Sequence, residues 1–356
     1  MKKIRVLALS DLHLGEEESL LNICEDQENI IETTVKKIGE LSKGRGKLEP
    51  GIEKLILIGD IVELSEAQDQ QAYDTTKFFL SSLLSEVPVQ EMIYLIGNHD
   101  HHLWVEALKQ DQGKEDYEDC KPKTGVFLDD AEIFVKNCLP SDHSVGKITV
   151  GYPNYMMEIG GSCFFFDHGH LFSELLEKLT SGKEARDLED LEERTYEKME
   201  FIWYESKSWI RERFWDLYLR VWHRITYGDR GTSYDVDAHS VLDDYSRRKI
   251  IWYLTKICGL QEDVFKKDFH FVFGHTHHGG RVLKGDRKIR VSGRFINVWN
   301  TGGWVVPSKV FSPDAYIFYI EQTGRGIRPS TYKLVAKRDE TEEGDYPGDV
   351  LGSIIG

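Results

Sequence analysis

Seven side chains able to ligate metal ions stand at the ends of short apolar runs. Asp11 and His13 follow the run at 4–10, Asp60 follows 54–59, and Asn98 follows 92–97. His168 follows 163–166, and His275 and His277 follow 269–274. Imidazole nitrogen mixed with carboxylate and amide oxygen suits the borderline dications Mn, Fe, Zn or Co. Seven such donors are too many for one ion and suit two ions sharing one carboxylate. Asp11 and His13 are two residues apart, as are His275 and His277, and in an extended chain residues i and i+2 point the same way. Each pair can therefore face one ion or two adjacent ones. Gly59, Gly97, Gly169 and Gly274 adjoin these positions, where glycine permits the dihedrals and close approach of a tight strand-end turn. Any one of these residues alone reads most simply as a cap or a solvated turn. The ordered set argues for a site.

The blocks read Asp11-Leu12-His13, Gly59-Asp60, Gly97-Asn98-His99-Asp100, His168-Gly169 and Gly274-His275-Thr276-His277. In that order they resemble the DxH, GD, GNH(D/E), H-before-glycine and GHxH blocks of the calcineurin-like metallophosphoesterases, spanning residues 11–277. The resemblance implies a four-layer fold, a β-sandwich flanked by helices, with two divalent metal ions at strand ends and manganese favoured. It implies that Asp11, His13 and His277 hold one ion, that Asn98, His168 and His275 hold the other, and that Asp60 bridges them. His168, placed directly before glycine, is preferred to His170. His99 would lie beside the scissile phosphate, with Asp100 orienting it. The implied reaction is attack of a metal-bridging hydroxide on phosphorus, with His99 as acid and stabiliser of the transition state.

The elements that must carry these residues alternate. Apolar runs of strand length bear the clusters, and open α/β sheets place sites beyond the carboxyl ends of their strands. Helical periodicity appears at 30–41 and 69–85, supplying the crossovers of a layered α/β domain. Residues 1–170 and 261–337 form the expected core. Between them, 171–260 reads as a helical insertion or cap. It is charged and aromatic, with Trp203, Trp209, Trp215, Trp222 and Trp252, and 238–258 reads as a helix ended by Gly259. The acidic run 184–200 reads as a solvated helix face. Strands are expected at 290–298, 315–321 and 331–335, and 338–356 as an acidic tail.

Composition narrows the function. A formal charge of -16 over 356 residues repels a phosphate backbone, which disfavours general nucleic-acid binding and a nuclease. Bound dications can still reverse the field locally for a phosphate ester. Five scattered cysteines with no CxxC pair point to free thiols and a reducing, cytoplasmic setting. No apolar stretch reaches the ~18 residues of a membrane span. The expected activity is hydrolysis of phosphate mono- or diesters. Gly59-Asp60-Ile61-Val62-Glu63 and Gly97-Asn98-His99-Asp100 depart from the GDxxDRG and GNHE of phosphoprotein phosphatases, which favours a small-molecule substrate. One alternative is a pyrophosphohydrolase of a lipid-linked nucleotide diphosphate, with 171–260 receiving the apolar part or an oligomer contact. Another is an inactive scaffold of the same fold, but all the ligand positions and His99 are kept.

Overall fold

The structure is a computed structural model. It describes residues 3–16, 19–21, 28–43, 51–65, 67–114, 124–172, 185–195, 199, 244–275, 280–281, 289–304 and 315–334. Alternating apolar residues build two sheets. The first holds β1 (Lys3–Leu9), β2 (Ile52–Ile58), β3 (Val89–Leu95), β4 (Val126–Asp129), β5 (Lys147–Tyr152), β12 (Ala315–Thr323) and β13 (Gly326–Leu334), in the order β13-β12-β1-β2-β3-β5-β4. The second holds β6 (Asn154–Ile159), β7 (Ser162–Asp167), β8 (Asp268–Phe273), β10 (Ile289–Val291) and β11 (Arg294–Asn300), in the order β10-β11-β8-β7-β6, with β9 (Gly280–Arg281) also paired to β11.

The period of two assigns each strand's faces. Val6 and Ala8 of β1, Ile56 and Ile58 of β2, and Phe164 and Phe166 of β7 meet in one core between the sheets. Their neighbours Leu7, Leu9, Leu55 and Leu57 point outward into a second core. That core lies under the helices α1 (Glu28–Lys43), α2 (Asp69–Glu86), α3 (His101–Gln112) and α4 (Glu132–Cys138). Cys163, Phe165, Phe271 and Phe273 face a third core, covered by α5 (188–195) and α6 (Asp244–Trp252), with Tyr253, Leu254 and Ile257 of the π turn that follows. The result is the expected four layers, helices on two packed sheets. Burying a Phe such as Phe164 or Phe166 is worth roughly 1.5–3 kcal/mol. The described parts of 171–260 thus cover the second sheet, because its outer aromatic face must be removed from water.

Three elements differ from those the sequence predicts. The 290–298 segment is two strands, because Ser292 and Gly293 both have positive φ, 47° and 78°, and form a two-residue hairpin turn. β13 begins at Gly326, five residues before the expected strand, and pairs along its whole length with β12. Helix α6 passes into the π turn Tyr253–Ile257 before Gly259, at φ 62°, ends the segment. Residues 238–243 and the tail 338–356 lie outside the described residues, as do Trp203, Trp209, Trp215 and Trp222.

The topology brings the site together. β1, β2 and β3 run parallel, so the loops holding Asp11, Asp60 and Asn98 leave one edge of the first sheet. β7 and β8 are parallel in the second sheet, and the loops with His168 and His275 leave together. Backbone bonds tie these loops to each other: Asp11 N donates to Gly59 O at 3.1 Å, His13 N to Asp60 O at 2.9 Å, and Gly274 N to His168 O at 3.0 Å.

Candidate metal centre

Local backbone aims the donors. Asp11, His13, Asp60 and His275 have φ of 53°, 46°, 51° and 64°, a conformation that costs roughly 1–3 kcal/mol for a residue with a side chain and persists only where the surroundings impose it. The crossing of two loops adds a steric demand. A Cβ on Gly59 would stand 2.7 Å from the Gly97 backbone and 2.8 Å from the His168 ring.

The donors converge on Asp60. Asp60, His168 and His275 offer ligand atoms that all lie within 4.8 Å of one another, and so do His13, Asp60 and His99. His168 Nδ1 lies 2.9 Å from Ile58 O, and a carbonyl only accepts, so Nδ1 carries the hydrogen. Nε2, on the other side of the ring, meets two acceptors, Asp60 Oδ2 at 3.0 Å and Asn98 Oδ1 at 3.2 Å. Positive charge must sit among these three atoms, as a proton on Nε2 or as a metal ion in its place. Donors bonded to one ion at ~2.1 Å stand about 3 Å apart, so the set fits a dication. His13 follows the same rule. Its Nδ1 is 2.7 Å from Glu63 Oε2, which turns Nε2 toward Asp60 Oδ2 at 3.9 Å. A carboxylate on the far nitrogen of an imidazole is the usual outer support of a histidine ligand.

Electrostatics tell the same story. Burial opposes ionisation of Asp60, but the imidazoles of His168 and His99 hold its carboxyl well below the usual range. Burial presses on His168, yet Asp60 and Asp11 lift it to about 10. Burial, with the charge of Asp60, raises Asp11 to about 6. Burial and the charge on His168 push His275 down to about 3. This largely buried cluster gathers positive charge around Asp60, as a cation site does.

Asp11 stands at the same edge, accepting from His275 N at 2.8 and 3.0 Å and from the Ser10 hydroxyl. Trp304 N donates to Asp11 O at 3.1 Å, so the Gly302-Gly303-Trp304 loop borders the site. His277 lies outside the described residues. His99 N donates to Asp60 Oδ1 at 2.8 Å. The acid on the His99 ring is Glu63, 2.8 Å from Nδ1. Asp100, expected there, instead binds Gly97 N at 2.6 Å, Ile61 N at 3.0 Å and the Tyr94 hydroxyl at 2.5 Å. It fastens the loop of Asn98 to the loop of Asp60. Nothing in the local sequence pattern marks Glu63, three residues after Asp60, or Glu16, 3.4 Å from His13 Nδ1, as a partner of these rings; a carboxylate following the Asp60 block is the one signal there. His170 is outside the Asp60 groups, with Nε2 at 3.1 Å from the Tyr152 hydroxyl.

A family model described as calcineurin-like phosphoesterase matches residues 4–279. The chain belongs to the calcineurin-like phosphoesterase family. As a phosphoesterase of this family it is a metal-dependent hydrolase of phosphoesters, and its His and Asp clusters fit a pair of divalent ions. No curated protein matches the sequence. Among solved structures it is similar to a dimetal phosphatase from Danio rerio, with 12% identity and a TM-score of 0.34 over 92% of this chain and 98% of the other. It is also similar to a cold-active protein-tyrosine phosphatase of a psychrophilic Shewanella species, with 15% identity and a TM-score of 0.31 over 92% of this chain and 80% of the other. Among the described residues of the phosphoesterase, no helix is long and apolar enough to cross a membrane. Cys138, Cys163 and Cys258 carry free thiols.

Proposed function

We propose that this phosphoesterase hydrolyses small phosphate mono- or diesters at the Asp60 cluster. The supporting observation is that Asp60, His168 and His275 offer ligand atoms all within 4.8 Å of one another, with His168 Nε2 3.0 Å from Asp60 Oδ2 and 3.2 Å from Asn98 Oδ1. Asp11, His13 and His277 would hold one ion, Asn98, His168 and His275 the other, and Asp60 both. Manganese is the favoured metal. Bound dications supply Lewis acidity that activates water and offsets charge on the phosphoryl oxygens. His99 contributes from the chain itself. Its Nδ1–H is held by Glu63, so the ring keeps one orientation and one tautomer, and protonated Nε2 can give its hydrogen to the leaving oxygen. Glu63 also steadies His13, coupling the acid to the ion site. Asp100 holds the two loops at fixed separation. The 171–260 insertion, an extension of the 1–170 and 261–337 core, sets substrate choice as a cap.

The test is a panel of monoesters, diesters, nucleotide diphosphates and a lipid-linked nucleotide diphosphate, run with metal analysis of the purified protein. Turnover of bis-p-nitrophenyl phosphate dependent on manganese supports the reading. Cleavage confined to the lipid-linked substrate would replace it with the pyrophosphohydrolase. Bound metal with no turnover on any ester would replace it with a scaffold.

A further inference from the structure

The acidic run 184–200 is not a uniformly solvated face. Glu192, on α5, is 1% exposed and reaches across to the core. Its Oε2 accepts from the Tyr152 hydroxyl at 2.5 Å, and its Oε1 lies 3.1 Å from His101 Nε2. Tyr152 ends β5, and His101 opens α3 two residues after His99. The Tyr152 hydroxyl is also 3.1 Å from His170 Nε2. His170 stands two residues after His168, its ring 5.4 Å from that of His168 and 6.5 Å from that of His275.

Donor counting orders this network. A carboxylate accepts, so His101 Nε2 carries its hydrogen. The Tyr152 hydrogen is committed to Glu192, so its oxygen accepts from His170 Nε2–H. One side chain of the insertion therefore selects the tautomers of two buried imidazoles. Each imidazole is attached to a site loop, one bearing His99 and the other His168. Burying a carboxylate costs several kcal/mol unless every contact is made, and apolar residues would pack an insertion onto a core without that cost.

We propose that Glu192 is a positioning residue, which holds His101 directly and His170 through Tyr152 and so fixes the loops of His99 and His168 from the insertion side. This rests on the phosphoesterase reading of the site. The test uses the full chain loaded with manganese or with cobalt, comparing the parent with Glu192→Gln and Tyr152→Phe. Both variants are expected to retain metal and a cooperative melt, with kcat on bis-p-nitrophenyl phosphate lowered about tenfold, as for outer supports of metal ligands, and KM within about twofold. The visible absorption of the cobalt forms is expected to shift in both. Parental kcat and an unshifted cobalt spectrum in folded variants would overturn the proposal. If Glu192→Gln does not fold, Tyr152→Phe decides by the same readouts. If the parent turns over no ester, the hydrolase reading fails, and the cobalt spectra alone decide whether Glu192 positions the centre.

Discussion

Asp60 is the residue that two of the donor groups share. Asp60→Asn removes the negative charge that the surrounding imidazoles hold in place, and it is expected to lower metal content and abolish turnover, read by metal analysis and ester hydrolysis on the same preparation. His99 separates the two roles. His99→Ala is expected to leave metal content near the parent's and reduce the rate by about 10²–10⁴, most for esters with poor leaving groups. Equal losses for good and poor leaving groups would remove its role as an acid. Glu63 sits behind both histidines, 2.7 Å from His13 and 2.8 Å from His99. Glu63→Gln is therefore expected to weaken metal affinity by about 10–100-fold as well as lower kcat, which a metal titration beside kinetics would reveal. A loss of kcat with unchanged affinity would confine Glu63 to His99.

At the scale of elements, the site exists because strand ends cross closely. The loop after β2 passes the loop after β3 with so little room that Gly59 has no space for a Cβ, and its φ of 75° disfavours one as well. Gly59→Ala is expected to cost at least about 1–2 kcal/mol from backbone conformation alone, measured as a lower urea midpoint. It should also reduce metal content, because the added carbon meets the His168 ring. An unchanged midpoint and metal content would show that these loops have slack the packing does not suggest. The strands that carry donors were legible from their apolar runs and polar ends. β4, β5 and β6, and helix α3, lack such ends. β6 alternates partly exposed positions and β4 is four residues long, so neither has the continuous apolar pattern of a buried strand.

At the scale of the molecule, two sheets contribute to one centre, so metal binding and folding are linked. Asp11 and Asp60 come from the first sheet, and His168 and His275 from the second. An ion bound only by the folded chain stabilises it by about 2.7 kcal/mol at a concentration 100 times Kd. Chelation is expected to lower the melting temperature, and restoring manganese to recover it, while Asp60→Asn should show a much smaller response. A melt indifferent to chelator in metal-loaded parent protein would argue that the sheets are held without the ions. The charge of -16 makes the ions more important locally, since they supply the field that an anionic ester needs on an acidic protein.

The sequence by itself determined the donor types, their place at strand ends and the alternation that stacks two sheets between helices, because those follow from local composition and a period of two. It also identified Asn98, His168 and His275 as candidates, through blocks of two to four adjacent residues. Only the tertiary structure decided which acids serve which imidazoles. Glu63 meets His13 across 50 residues and Glu192 meets His101 across 91, whereas Asp100, adjacent to His99, turns away to Gly97, Ile61 and Tyr94. A side chain's partner is set by where the packed layers bring distant backbones together, and sequence neighbours point in different directions once a strand gives way to a turn.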